Sequence, residues 1–410
     1  MLLAAGGLAF LLAAGAAPQP ERLTPQQAEA LVREVSAAVE QLRALKFKAP
    51  VKMEVIDPAA ARETFKAKIR PWAEEEARHT QAAFVHLGLI PPRTDLITSH
   101  LDTVEKDVLG YYEPGSKVFY LMSNVSEEDV RGVVAHELTH ALEDQHYDLS
   151  AVSRKAEGDS DHATAISAVV EGSAMAVTLA YLSRQPSSKK ALEQEEQNER
   201  QRARRLASAP SFTQRSLLAP YFLGFTFLLR GKPWIWQLDG VAYPDLDQAY
   251  REPPRSTRQL LHPEQYWVAG RREVPQPLTL PDLSKVLGPG WSKATEGSIG
   301  ELGLAVLTGA RVQMDSPEVL LPARWTNRAS AGILADLYQH YVSGEKRVTV
   351  LATRWETTDD AQEFDAALVH RSQRFFRMGC NVLLLAGDVG DQAEALAIAA
   401  LQGVRYFPPE

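Results

Sequence analysis

Cysteine is almost absent from this chain of 410 residues: Cys380 stands alone, so no disulfide can form within it. The Arg377–Leu385 stretch around it turns apolar after Asn381, and a buried structural thiol is expected there. An excess of basic charge is also missing. Lys and Arg number 44 against 52 Asp and Glu, a net charge of -8, and no basic stripe interrupts the pattern, which argues against nucleic acid as a partner. No internal repeat is apparent, and beyond the first residues no stretch reads as long and apolar enough to cross a membrane. What remains, with 45% hydrophobic residues, can bury a large core and is expected to divide into two domains behind a leader.

The leader is read from Met1 to Ala17. It has no charged side chain, is rich in Leu and Ala, and ends in small residues ahead of Pro18, which fits a signal peptide with its cleavage site. The location expected is extracytoplasmic, periplasmic or secreted, with no stable membrane span after leader removal. The missing Lys or Arg at the start departs from the usual pattern and leaves an uncleaved N-terminal anchor as the alternative.

The chemistry concentrates in His136-Glu137-Leu138-Thr139-His140. Residues four apart share a helix face, so His136 and His140 can offer two imidazoles to one metal ion, and Glu137 at the edge of that face can act as general base toward a water. Val133, Val134, Leu138, Ala141 and Leu142 recur at helical spacing and predict one buried face, with the histidines on another; Ser126 to Asp129 supplies a cap and an acidic first turn. The donor set suits Zn2+, which in catalytic sites takes three protein ligands.

Two residues compete for the third position. His146 stands ten residues after His136, but a Glu occupies position 143, where a Gly would let the chain turn back. If the helix runs on, His146 lies about 9 Å beyond His140 along the axis and off its face. Glu171 sits in the small and apolar run from Ala165 to Ala174, where a carboxylate is costly to bury unless it is paired or binds a metal. Glu171 is the preferred ligand, and Gly172 and Ala174 are expected to let its helix approach the HExxH helix.

His136, His140 and a glutamate from a later helix resemble the gluzincin arrangement of zinc metallopeptidases. The longer string from Val133 to His146, together with Gly110-Tyr111-Tyr112, Val170-Glu171-Gly172, Pro253 to Thr257 and Leu261 to Glu264, is similar to a little-characterised group of bacterial zinc-peptidase-like proteins. Gluzincins often place an Asp four residues after the glutamate ligand, whereas position 175 is Met, so Glu143, Asp144 and Asp161 stand as substitutes for the carboxylate that would orient a histidine.

The resemblance, which covers most of residues 50–310, implies a zincin-like, mainly helical catalytic domain with a small β-sheet over residues 18–315. The pattern of strands and helices after Ser316, with no metal-ligand cluster, predicts a small α+β accessory module over 316–410, so the fold class expected is α+β. The resemblance further implies peptide or protein substrates, paired in extended form with an edge strand, here Val118 to Leu121. Glu137 would move the proton, and Tyr221 or His262, each beside a proline, would steady the developing oxyanion. The alternatives are a metzincin-like site through His146, a zinc protein with a binding or structural role only, and a hydrolase of non-peptide bonds.

Helices are expected from Thr24 to about Leu45, Asp57 to about Leu87, Asp95 to Val108, Ser216 to Leu229 and Thr358 to Arg374, with a closing helix from Gln392 to Leu401. Strands are expected at Val51–Ile56, in a hairpin around Glu113 to Ser116, and at Gly332–Val342, Arg347–Glu356 and Cys380–Ala386. Ser187 to Arg205 reads as a charged, solvated helix, and Leu238 to His262 as irregular.

Overall fold

Asp57 ends a strand and starts a helix in one step. Its carboxylate accepts a hydrogen bond from the Ala59 amide at 3.0 Å, and Pro58, with no N–H to lose, takes the first helical position. Where one helix is expected to run to about Leu87, two are found, Pro58–Lys68 and Pro71–Leu87. Pro71 cannot continue the hydrogen-bond ladder, and Ile69 turns extended ahead of it.

The computed structural model describes residues 8–10, 25–69, 71–126, 129–185, 189, 193, 196–197, 209–230, 243–368 and 373–406. Of the expected leader, therefore, only 8–10 are described, and the charged helix expected from Ser187 to Arg205 lies almost wholly outside the described residues. The region expected to be irregular contains the helices Tyr243–Arg251 and Thr257–Leu261.

The chain is α+β. A first sheet holds β1 (Leu8–Phe10), β2 (Lys52–Ile56), β3 (Gly110–Glu113) and β4 (Val118–Met122) in the order β1-β3-β4-β2. β3 and β4 form the expected antiparallel hairpin, while β2 runs parallel to β4 with Met53 opposite Phe119. The strand expected to present a free edge to a peptide, Val118 to Leu121, is thus interior: its backbone groups bond β3 on one side and β2 on the other. That expectation is corrected.

A second, antiparallel sheet builds the C-terminal part. After a short β5 (Leu278–Thr279), it comprises β6 (Ser292–Gly297), β7 (Ile333–Ser343), β8 (Lys346–Trp355), β9 (Arg374–Met378) and β10 (Asn381–Gly387) in the order β6-β7-β8-β10-β9, and β11 (Arg405–Tyr406) closes on β5. β6 is a short polar edge strand, and β9 begins where the helix from Thr358 was expected to end; that helix stops at Leu368. Val348, Val350, Leu383 and Leu385 pack toward the helix Ala393–Gly403. On the opposite face Tyr338, Leu351, Val382 and Leu384 pack with Ala83, Phe84 and Leu87 of the helix Pro71–Leu87. The sheet therefore draws one strand and one covering helix from before residue 316, the expected boundary. Cys380 is half-buried against this second core.

The helices that matter for chemistry pack on the first sheet and on one another. One of them, Ser160–Ser183, has a mean hydropathy of 1.6 over an 18-residue window and by length and composition could span a bilayer. With 83% of that window buried in the protein, it is here a core helix.

Candidate metal centre

The HExxH motif lies on the helix Val130–Tyr147. The cap and acidic first turn expected from Ser126 to Asp129 are not found: Asp129 itself stands at the cap, with no side-chain cap bond, no acidic residue follows in the first turn, and the Ser126 hydroxyl accepts from the Asp129 amide at 3.0 Å. One buried face was expected, yet every described face is covered from Val130 to Asp144 apart from Arg131. Val133, Val134 and Leu138 pack with Tyr111, Phe119 and Leu121 of the first sheet, joined by Val35 and Val39 of the N-terminal helix Pro25–Arg43. β3 comes so close that a methyl group on Gly110 would lie 2.7 Å from Val133 Cγ1. Packing on several sides holds the histidine-bearing turn firmly.

Glu171 is on the helix Ser160–Ser183, which lies against the HExxH helix. His136 Nε2 stands 3.1 Å from Glu171 Oε2 and His140 Nε2 stands 3.5 Å from the same oxygen. One ligand atom from each of the three residues lies within 4.8 Å of the others, and this buried group could hold a metal ion. Burial opposes a charge on Glu171, but the two imidazoles outweigh it and hold the carboxyl down at about 2. Burial likewise opposes protonation of His140, and Glu171 outweighs it, raising the imidazole above its ordinary range. Among the described residues His140 Nε2 has only the Glu171 oxygen near it, at a long 3.5 Å, so both groups are buried with room for a shared ion between them. The residues fit a metal.

Close packing behind Glu171 comes from a pair of glycines. Gly172 does not face the HExxH helix, as its sequence position suggested. A Cβ there would overlap the Gly224 backbone on the helix Ser211–Leu228, and a Cβ on Gly224 would overlap the Ala168 carbonyl. Backbone cannot give way as a flexible side chain can. Gly224→Ala is therefore expected to cost about 1–3 kcal/mol of stability by overpacking, read as a lowered urea midpoint, with a fall in metal occupancy as the Glu171 helix is displaced.

Tyr221 is carried on that third helix, just after its internal Pro220. It is buried, with its ring centroid 6.2 Å from that of His136, so it borders the metal group. His262 goes elsewhere. Its Nε2 donates to Glu301 at 3.0 Å, and Thr326 also donates to Glu301. Burial disfavours charge on His262, and the Glu301 carboxylate outweighs it, raising the imidazole above 6.5. A group raised in the folded state stabilises fully below its unfolded value and loses that contribution as pH rises through its folded value. His262→Asn is thus expected to leave metal content unchanged and to lower the urea midpoint most on the acid side of pH 6.5, the gap closing above neutrality.

The helix runs on through Glu143 to Tyr147, and His146 Nε2 donates to the Lys46 carbonyl at 2.8 Å, away from the other two histidines. The three carboxylates considered as histidine-orienting partners are engaged elsewhere. Asp144 accepts from Tyr112 at 2.7 Å and Lys117 at 2.6 Å. Asp161 accepts from the Thr257 hydroxyl and amide, tying the Pro253 to Thr257 segment to the start of the Glu171 helix. Glu143 accepts from Arg43 at 2.6 Å, Ser173 at 2.5 Å and Tyr250. Sequence reasoning missed Arg43, Ser173 and Tyr250; the only signal available was an unexplained acidic residue one turn after His140.

Comparison with known proteins places one part of the chain. Residues 287–381 match a family described as a domain of unknown function, DUF8575. The match covers β6 to β9 and contains none of the metal-binding candidates. No curated protein and no solved structure matches the chain.

Proposed function

We propose that this protein is a zinc-dependent peptidase with a zincin-like catalytic region of the gluzincin type, acting outside the cytoplasm. The observation that carries the reading is the meeting of His136, His140 and Glu171 with Glu137 on the same buried helical turn. Two imidazoles and one carboxylate form the ligand set of a catalytic zinc that keeps a position open. Zinc, when bound, supplies Lewis acidity, polarising a carbonyl and making a water more acidic. The protein's residues do the rest. His136 Nε2, His140 Nε2 and Glu171 Oε2 would hold the ion. The Glu137 carboxylate takes a proton from the attacking water and returns it to the leaving amine nitrogen. Tyr221, whose ring lies beside that of His136, would donate its hydroxyl proton to the oxygen that gains charge; His262, committed to Glu301, would not.

Peptide bonds are proposed as substrate on the resemblance of the motif strings; the location rests on the charge-free, Leu- and Ala-rich composition of the first residues alone, of which Leu8–Phe10 pair with β3 in this structure. A second reading, a metal site serving structure or binding without hydrolysis, is favoured by one observation. His136, Glu137 and His140 are 0% exposed and Glu171 only 5%, whereas a catalytic ion must admit its substrate. Metal analysis of the purified protein, together with cleavage of a denatured protein mixture and of simple esters, separates the readings. Zinc with peptide cleavage supports the proposal. Zinc without any turnover favours the second reading, ester cleavage alone indicates a non-peptide hydrolase, and absence of metal binding removes all three.

A further inference from the structure

One buried carboxylate near the metal group has no part in ligation or proton transfer. Glu143 is 0% exposed and sits three residues after His140, hence on the neighbouring turn of the same helix face. Ser173, whose hydroxyl donates to Glu143 Oε1 at 2.5 Å, sits two residues after Glu171. The bond therefore crosses between the helix bearing two of the candidate ligands and the helix bearing the third, within about a turn of each. Two further elements converge on the same carboxylate: Arg43 at the end of the N-terminal helix donates Nε at 2.6 Å, and Tyr250 of the helix Tyr243–Arg251 donates its hydroxyl. Arg43 also donates to Asp247 at 2.9 Å, and Tyr147 donates to Asp247 at 2.6 Å, which anchors the far side of the guanidinium.

Burying this ion pair is expensive, and a well-packed apolar cluster would stabilise the same four-helix junction as well or better. What an apolar cluster lacks is direction. A carboxylate with donors on several sides fixes the rotation and height of each helix relative to the others, and a ligand set must be held to within about 0.5 Å. We propose that Glu143 is a positioning residue, clamping the HExxH helix to the Glu171 helix through Ser173 and so setting the metal affinity of His136, His140 and Glu171. This rests on the metal-binding reading of the site, and not on hydrolysis.

The test uses the full chain, with zinc affinity measured by chelator competition and the ligand geometry by the visible spectrum of the cobalt-substituted protein. Ser173→Ala removes the cross-helix bond and leaves the Arg43–Glu143 pair intact, so it avoids stranding a buried charge; Glu143→Gln is the second variant. Each is expected to weaken zinc binding roughly 10- to 100-fold, the range for partners outside the ligand set, and to shift the cobalt bands. Thr353→Val serves as control: it removes a buried hydroxyl that bonds Val382 and Trp355 in the second sheet, and it should lower stability with wild-type affinity and spectrum. Wild-type affinity and spectrum in folded Ser173→Ala overturn the clamp while leaving the metal site standing. Equal losses in Thr353→Val overturn it too, because they would mark a general effect of stability. A wild-type protein that binds neither ion would instead sink the metal-binding reading itself.

Discussion

On the proposed reading, Glu137→Gln is expected to keep about one zinc per chain, since all three candidate ligands remain, and to lose on the order of 10²-fold or more in peptide hydrolysis. Glu137 is wholly buried on the turn that carries His136 and His140, next to His136 in the chain. The amide of Gln has nearly the same shape but no basicity, so packing is preserved and only the proton acceptor disappears. Metal analysis alongside turnover separates the two effects. Undiminished hydrolysis with zinc bound would remove Glu137 from the mechanism, while loss of zinc in the Gln variant would mean that the residue supports the site structurally.

Glu171→Ala should lose metal far more severely than His146→Ala, by more than the roughly 10²-fold that outer partners typically contribute. Glu171 Oε2 lies 3.1 and 3.5 Å from the two histidine nitrogens, so its removal would delete one of the three candidate ligands and leave the imidazoles facing a small void. His146 is occupied with the Lys46 carbonyl, and its loss costs that one bond. Titration with zinc, on protein shown by circular dichroism to be folded, ranks the variants. The reverse order would mean that the helix breaks at Glu143 in solution and that a metzincin-like site forms through His146.

The sequence by itself determined what depends on neighbours a few residues apart. The pairing of His136 with His140 follows from helix geometry, and the β3–β4 hairpin from the turn residues between two apolar stretches. Glu171 stood out for a related reason, because a carboxylate inside an apolar run announces that some partner must exist. The partner's identity was another matter. Tertiary structure decided that Glu143 meets Arg43, 100 positions earlier, and Tyr250, 107 positions later. It decided as well that Gly172 serves the contact with Gly224, that β4 is interior because β2 pairs beside it, and that His262 answers Glu301 instead of the metal group. A side chain's own chemistry states which partners would satisfy it, but several residues in a long chain can meet that demand. The choice among them is made by the packing of whole helices and sheets, whose burial energies far exceed that of any single hydrogen bond.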